Sequence, residues 1–219
     1  MLVKDFITKE FPVLKCFDTV EYAINLMDEL KVRDLPVVVD DNYECLLSDK
    51  DLQGMNPMDE IGKLVVFAPS ITDTGNLHEI VARLSRYHLS LLPVVTEEGK
   101  YIGVITRDRM FDELANLCNA ESPGSVVVLE LSPHDYVLSD IARIVEANNA
   151  HVLNLLLNTD KDTGRLAITI RIDLEDASPV IRSFERFNYT VLYHHNMRGG
   201  VVDNTLQDRM DELIYYMTM

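Results

Sequence analysis

Two short runs hold the side chains best spaced for chemistry: Ser48-Asp49-Lys50-Asp51-Leu52 and Thr106-Arg107-Asp108-Arg109-Met110, each setting a hydroxyl two or three residues ahead of an acid. A hydroxyl so placed can cap a following helix, and an ionised carboxylate brings two acceptor oxygens, so either run serves as a local cap or as a polar contact for a ligand. The remaining chemistry is thinner. Cys16, Cys45 and Cys118 are odd in number and widely spaced, which fits reduced, buried thiols better than a disulfide framework or a cysteine-rich zinc site. The histidines, His78, His88, His134, His151, His194 and His195, show no H-E-x-x-H spacing, and His194-His195 lies in an apolar, β-branched stretch where neighbours face opposite ways. Asp160-Lys161-Asp162-Thr163-Gly164 opens like a calcium loop, but its glycine comes one residue early and Arg171 stands at the twelfth position. It reads as a hairpin loop with Gly164 at positive φ. No metal site is expected. No G-x-S-x-G elbow, phosphate-binding G-x-x-x-x-G-K-[ST] loop or zinc motif is present, and an enzyme is not expected.

Composition sets the class. The 219 residues are 47% hydrophobic and 26% charged, room for one large or two modest domains with packed cores. The 20 Lys and Arg against 36 Asp and Glu give a net charge of −16, which repels phosphate backbones and anionic headgroups. Nucleic acid and membrane are therefore not expected partners. With charge in Met1–Glu10, where a signal peptide would be apolar, the expected location is the cytoplasm.

An internal repeat must position the two runs. TVEYAINLMDELKVRDLPVV, from Thr19 to Val38, returns 57 residues later as NLHEIVARLSRYHLSLLPVV, from Asn76 to Val95. Val20, Ala23, Ile24, Met27 and Leu30 in one copy and Leu77, Ile80, Val81, Leu84 and Tyr87 in the other recur at helical spacing. Asp18-Thr19 starts the first helix, and Asn76 with Glu79 forms a capping-box pattern for the second. Leu-Pro-Val-Val follows each helix, with proline where a strand opens or runs along an edge. Polar turns, Asp40-Asp41-Asn42 and Glu97-Glu98-Gly99, then lead to a second apolar run, Cys45–Leu47 or Tyr101–Ile105.

On these residues the chain resembles the CBS-domain family, whose tandem pairs carry h-P-V-V, a turn, and then G-h-h-[ST]-x-x-D. The resemblance implies a pseudo-twofold pair, residues 1–62 and 63–118, whose clefts take adenosine-containing ligands, with the terminal aspartate on the ribose hydroxyls and the Ser or Thr beside it. Carried over by position, Asp51 is the ribose acceptor and Ser48 its neighbour, with Lys50 and Leu35 as further ligand-binding positions. Cys45 stands where a glycine is usual. The second copy keeps Gly103, Val104, Ile105 and Thr106, but its acid comes early at Asp108 and Arg109 takes the aspartate position, so that Arg107 or Arg109 would attract a phosphate. The clefts are thus expected to differ. A triphosphate is disfavoured by the net charge unless Lys50 and Arg33 focus the local field.

Residues 119–124, within the small, polar CNAESPG stretch, read as a linker. Residues 125–197 then follow the order βαββαβ, the ferredoxin-like arrangement. After a CBS pair this is similar to an ACT domain, and the whole order resembles that of acetoin-utilisation accessory proteins. ACT domains commonly hold amino acids at the first strand-to-helix loop through a glycine, but Ser132-Pro133-His134-Asp135-Tyr136 has none. A dimerisation platform is the alternative for this domain. Residues 201–219 read as an amphipathic helix, with Leu206, Met210, Leu213, Ile214 and Met217 on one side.

The expected fold class is therefore α+β: a CBS-domain pair, an ACT-like ferredoxin-fold domain and a C-terminal helix. The expected function is non-enzymatic regulation, in which the pair senses AMP, ADP, ATP or S-adenosylmethionine as a regulatory ligand and the ACT-like domain transmits the signal or oligomerises. No required cofactor is implied; a homodimer and an unidentified client protein are. The alternative is a constitutive assembly scaffold with degenerate clefts.

Overall fold

The computed structural model describes residues 2–63, 67–196 and 200–202. The chain divides into two compact units, Met1–Leu114 and Ala115–Met219.

In the first unit, helix α1 (Val20–Leu30) starts on Thr19, whose hydroxyl accepts the Tyr22 N–H at 3.2 Å, and stops at Lys31 in the left-handed region, φ 57°. Val20, Ala23, Leu26 and Met27 face inward, whereas Ile24, expected in the stripe, is 41% exposed. At helical spacing Leu26 and Ile24 lie on opposite margins of the buried stripe, roughly 70° and 90° from its centre. Strands β1 (Asp34–Val39) and β2 (Asn42–Ser48) form an antiparallel hairpin, turning through Asp40 and Asp41 at positive φ. The second copy repeats the pattern. Helix α2 (Leu77–Arg86) is capped by Asn76, whose side chain accepts the Glu79 N–H and donates to the Glu79 carboxylate. Strands β4 (Leu91–Val95) and β5 (Tyr101–Thr106) pair antiparallel.

A parallel segment flanks each hairpin. Leu14 lies beside Val37, and the short β3 (Ile71–Thr72) beside Val94 and Val95. The copies diverge after their last strands: β5 runs directly into α3 (Arg107–Leu117), but β2 is followed by a turn over residues 49–54 that ends at Gly54, φ +81°. The N-terminal segment also belongs with the second copy. Val3 and Phe6 are buried with Ile71, Ile80, Leu91 and Val104, and Thr8 and Val104 exchange backbone hydrogen bonds at 2.8 and 3.1 Å.

That crossing explains Gly103. A Cβ there would sit 2.5 Å from the Thr8 carbonyl oxygen and 3.1 Å from the Lys9 Cα, both backbone atoms. Gly103→Ala is expected to destabilise the protein by about 2 kcal/mol or more, since the crossing strand must move; the urea midpoint of the variant against wild type measures it.

The second unit is a five-stranded antiparallel sheet, β6 (Ser125–Leu131), β7 (Val152–Thr159), β8 (Leu166–Ile172), β9 (Thr190–Asn196) and β10 (Gly200–Val202), in the order β10-β9-β6-β8-β7. With α4 (Leu138–Glu146) and α5 (Ser178–Arg186) it completes the ferredoxin-like βαββαβ order. Burial alternates residue by residue along β6 and β8, and the inward positions pack on Ile141, Ile144, Val180 and Phe184. Strand β10 occupies Val201 and Val202, where the C-terminal helix was expected to begin; residues 203–219 lie outside the described residues. The stretch read as a linker is tied down: the Asn119 amide donates to the Leu153 carbonyl at 3.0 Å, and the Arg171 guanidinium donates to the Ala120 and Ser122 carbonyls. Asp160 caps its own hairpin, accepting the Asp162 and Thr163 N–H groups while Gly164 turns at φ +69°.

Candidate functional site

The two copies meet around a buried carboxylate. Asp34, 6% exposed, accepts both the Ser90 N–H and the Ser90 hydroxyl at 2.6 Å. The Ser90 oxygen in turn accepts the Arg33 and Asp34 N–H groups at 3.0 and 3.1 Å. Around this clamp the pseudo-symmetry is visible in single bonds: the Asp49 N–H donates to the Arg33 carbonyl and the Arg107 N–H to the Ser90 carbonyl, both at 2.8 Å.

Beside the clamp lies a cavity of about 330 Å³ walled by both copies: Phe11, the α1-to-β1 stretch Leu30, Lys31, Val32 and Arg33, and Ser90 with Thr106, Arg107 and Asp108 at the start of α3. Its size suits a small-molecule ligand. Three cations, Lys31, Arg33 and Arg107, line it against one carboxylate, Asp108, with the Asp34 carboxylate in the adjoining clamp, so its wall carries a surplus of cations in a chain of net charge −16. Neighbouring carbonyls hold the two arginines. Arg33 donates to the His88 oxygen at 3.2 Å, and Arg107 to the Leu84 oxygen at 3.3 Å, near the C-terminal end of α2.

Thr106, Arg107 and Asp108 therefore line one cavity, as does Arg33. The Thr106 hydroxyl caps α3 by accepting the Arg109 N–H at 3.3 Å, and Arg109 is exposed and outside the lining. Ser48, Lys50 and Asp51 lie elsewhere. Ser48 donates both its N–H (2.8 Å) and its hydroxyl (2.7 Å) to one carboxylate oxygen of Asp51, which closes the 49–54 turn and leaves the other oxygen without a hydrogen bond among the described residues. Leu35, the second residue of β1, has its side chain in the first copy's core at 0% exposure.

Sequence reasoning missed Phe11, Lys31, Asp34 and Ser90. The signal for Ser90 was present, since it stands 57 residues after Arg33, at the repeat's own spacing.

Two further features bear on the expectations. All three cysteines are free, and burial, with Cys16 as a smaller contributor, pushes the Cys45 thiol up to about 11, so it stays protonated at neutral pH. In the second unit a cavity of about 550 Å³ adjoins the Ser132–Tyr136 loop, and the Nε of Arg165 in its wall lies 2.7 Å from the Glu130 carboxylate. His194 and His195 stand opposite Val127 and Val126, on opposite faces of the sheet.

Comparison with known proteins bears on the first unit. A family model described as the CBS domain matches residues 3–54 and 65–116. An uncharacterised protein of Methanocaldococcus jannaschii, MJ1004, is 27% identical over 143 residues; the match spans 61% of this chain and 65% of the relative, just under two thirds of its length. Among solved structures, a protein described as an acetoin utilization protein, AcuB, of Vibrio cholerae is similar at TM-score 0.49 and 21% identity, over 55% of this chain and 95% of that one. CBSX2, solved in complex with AMP, is similar at TM-score 0.47 and 28% identity, over 53% of this chain and 97% of that one. With two matched repeats meeting across one clamp, the N-terminal unit of this chain is a CBS-domain pair.

Proposed function

We propose that the pair is a non-enzymatic sensor of an adenosine nucleotide, AMP, ADP or ATP, in a cytoplasmic homodimer whose ACT-like second unit carries the signal to a client protein. The observation that carries this reading is the cavity built by both copies and walled by Lys31, Arg33 and Arg107. A ligand shifts an equilibrium only by its differential affinity for two states, and one that touches both copies can sense their relative arrangement. The same cations rank S-adenosylmethionine, whose sulfonium is itself positive, below the phosphate-bearing nucleotides. Three free cysteines accord with a reducing compartment.

The clefts have unequal roles in this reading. Thr106 and Arg107 meet a phosphate in the cavity, while Asp51, outside that lining, offers its unbonded carboxylate oxygen to a ribose hydroxyl in the other cleft, with Ser48 beside it. One observation favours the scaffold reading: Ser48 already occupies half of Asp51, as a purely local cap would. Thermal-shift titration separates the two. A sensor gains RT ln(1 + [L]/Kd) of stability with added nucleotide, and Asp51→Ala is expected to weaken that response about tenfold in Kd by removing a charge-assisted hydrogen bond. An unchanged response in the variant removes Asp51 from the site, and a wild-type melt indifferent to every nucleotide supports the scaffold.

A further inference from the structure

The last turn of α2 is held from outside the helix. It closes as a Schellman motif: the Leu89 N–H donates to the Leu84 carbonyl at 3.1 Å, the His88 N–H donates to the Ser85 carbonyl at 3.3 Å, and His88 sits in the left-handed region at φ 54°. That conformation is uncommon outside glycine, so the turn needs support. Two guanidiniums brace it. Arg107 donates to the Leu84 carbonyl, which closes the motif, and Arg33 donates to the carbonyl of His88 itself. Just beyond, the Ser90 N–H donates to the Asp34 carboxylate and fixes the end of the segment to the clamp.

The two braces are also two of the cations that line the cavity between the copies. Their carbonyl bonds are long, 3.2 Å for Arg33 and 3.3 Å for Arg107, and a guanidinium bond to phosphate is roughly twice as strong as one between neutral groups. A phosphate in the cavity therefore competes for both arginines, whereas the Ser90–Asp34 bond uses neither and stays. Helix α1 ends in the same way, with Lys31 at φ 57° and the Val32 N–H donating to the Met27 carbonyl at 3.0 Å. There, however, no side chain among the described residues donates to the Met27 carbonyl. Asp49, which bonds the Arg33 carbonyl as Arg107 bonds that of Ser90, carries an ionised side chain that has no proton to donate. One helix end of the two is thus tied to the cavity.

We infer that nucleotide phosphate acts on this chain by drawing Arg33 and Arg107 off the end of α2, so that residues 84–88 are the element the ligand releases. This rests on the nucleotide reading above and supplies its output. Leu84, Ser85 and His88 of the released turn form one wall of a second cavity, about 290 Å³, whose other wall is Met110, Phe111 and Leu114 of α3. Arg107 lines both cavities. Filling the first therefore reshapes the second.

Hydrogen exchange on the full chain, with and without saturating ADP, tests this, and calorimetric titration of the same samples establishes whether ADP is bound. With ADP the His88 and Leu89 amides are expected to exchange at least about fivefold faster, because local opening of the turn becomes easier, while the Val32 amide does not speed up. The double variant Arg33→Ala with Arg107→Ala, free of ligand, is expected to exchange at His88 and Leu89 as fast as ADP-loaded wild type. Bound ADP that leaves those two amides unchanged or slower overturns the inference and leaves the nucleotide reading standing. Equal acceleration at Val32 overturns it too, since the loosening would then be general, as does a folded double variant whose amides are as slow as those of ligand-free wild type. Absence of ADP binding ends both readings. Should the double variant fail to fold, the wild-type comparison decides alone.

Discussion

Ser90→Ala is expected to cost the first unit about 2–4 kcal/mol, a large share of a small unit's stability. The hydroxyl does three things at once. It donates to the buried Asp34 carboxylate and accepts the Arg33 and Asp34 N–H groups, so its removal leaves a charged acceptor short of one donor and two backbone donors without their partner. Only the Ser90 N–H would remain on Asp34. Unpaired buried groups cost more than a paired hydrogen bond is worth, the more so where the group left short of a donor is charged. Urea unfolding of the variant measures the effect, and a midpoint unchanged from wild type would remove the clamp from the account of how the copies are held together.

Arg107→Ala is expected to weaken ADP binding by about 10-fold to 100-fold, the loss of one charge-assisted contact to phosphate. Adenosine, which has no phosphate, should bind wild type and variant alike. Salt should separate them further: wild-type affinity for ADP falls as ionic strength rises, and the variant's falls less. Isothermal titration at two salt concentrations reads all of this. Equal loss for adenosine and ADP would mean that Arg107 supports the cleft through its bond to the Leu84 carbonyl rather than by meeting the phosphate.

What could be read from the residues was mostly what local pattern controls. The repeat at 57 residues, the Thr19 and Asn76 caps, the paired Leu-Pro-Val-Val strands and the βαββαβ order of the second unit are set by periodicity and capping chemistry, and the structure has them in place. What escaped reading depends on distant contacts. Val3 and Phe6 complete the core of the second copy although they precede the first, because the N-terminal segment crosses to pair with Val104. The cavity joins Arg107, which the sequence marks, to Phe11, Lys31 and Ser90, and no local pattern links them to it. Where α3 follows β5, a turn ending at Gly54 with positive φ follows β2, and β10 is too short to announce itself by alternation.

The central claim is that a positively walled cleft between the two copies takes the phosphate end of an adenosine nucleotide. Isothermal titration of adenosine, AMP, ADP and ATP into the full chain tests it most directly, with S-adenosylmethionine as the cationic comparison. Binding that requires at least one phosphate, weakens with salt and exceeds that of S-adenosylmethionine is the predicted result. No binding by any nucleotide, or a preference for S-adenosylmethionine over all of them, would contradict it.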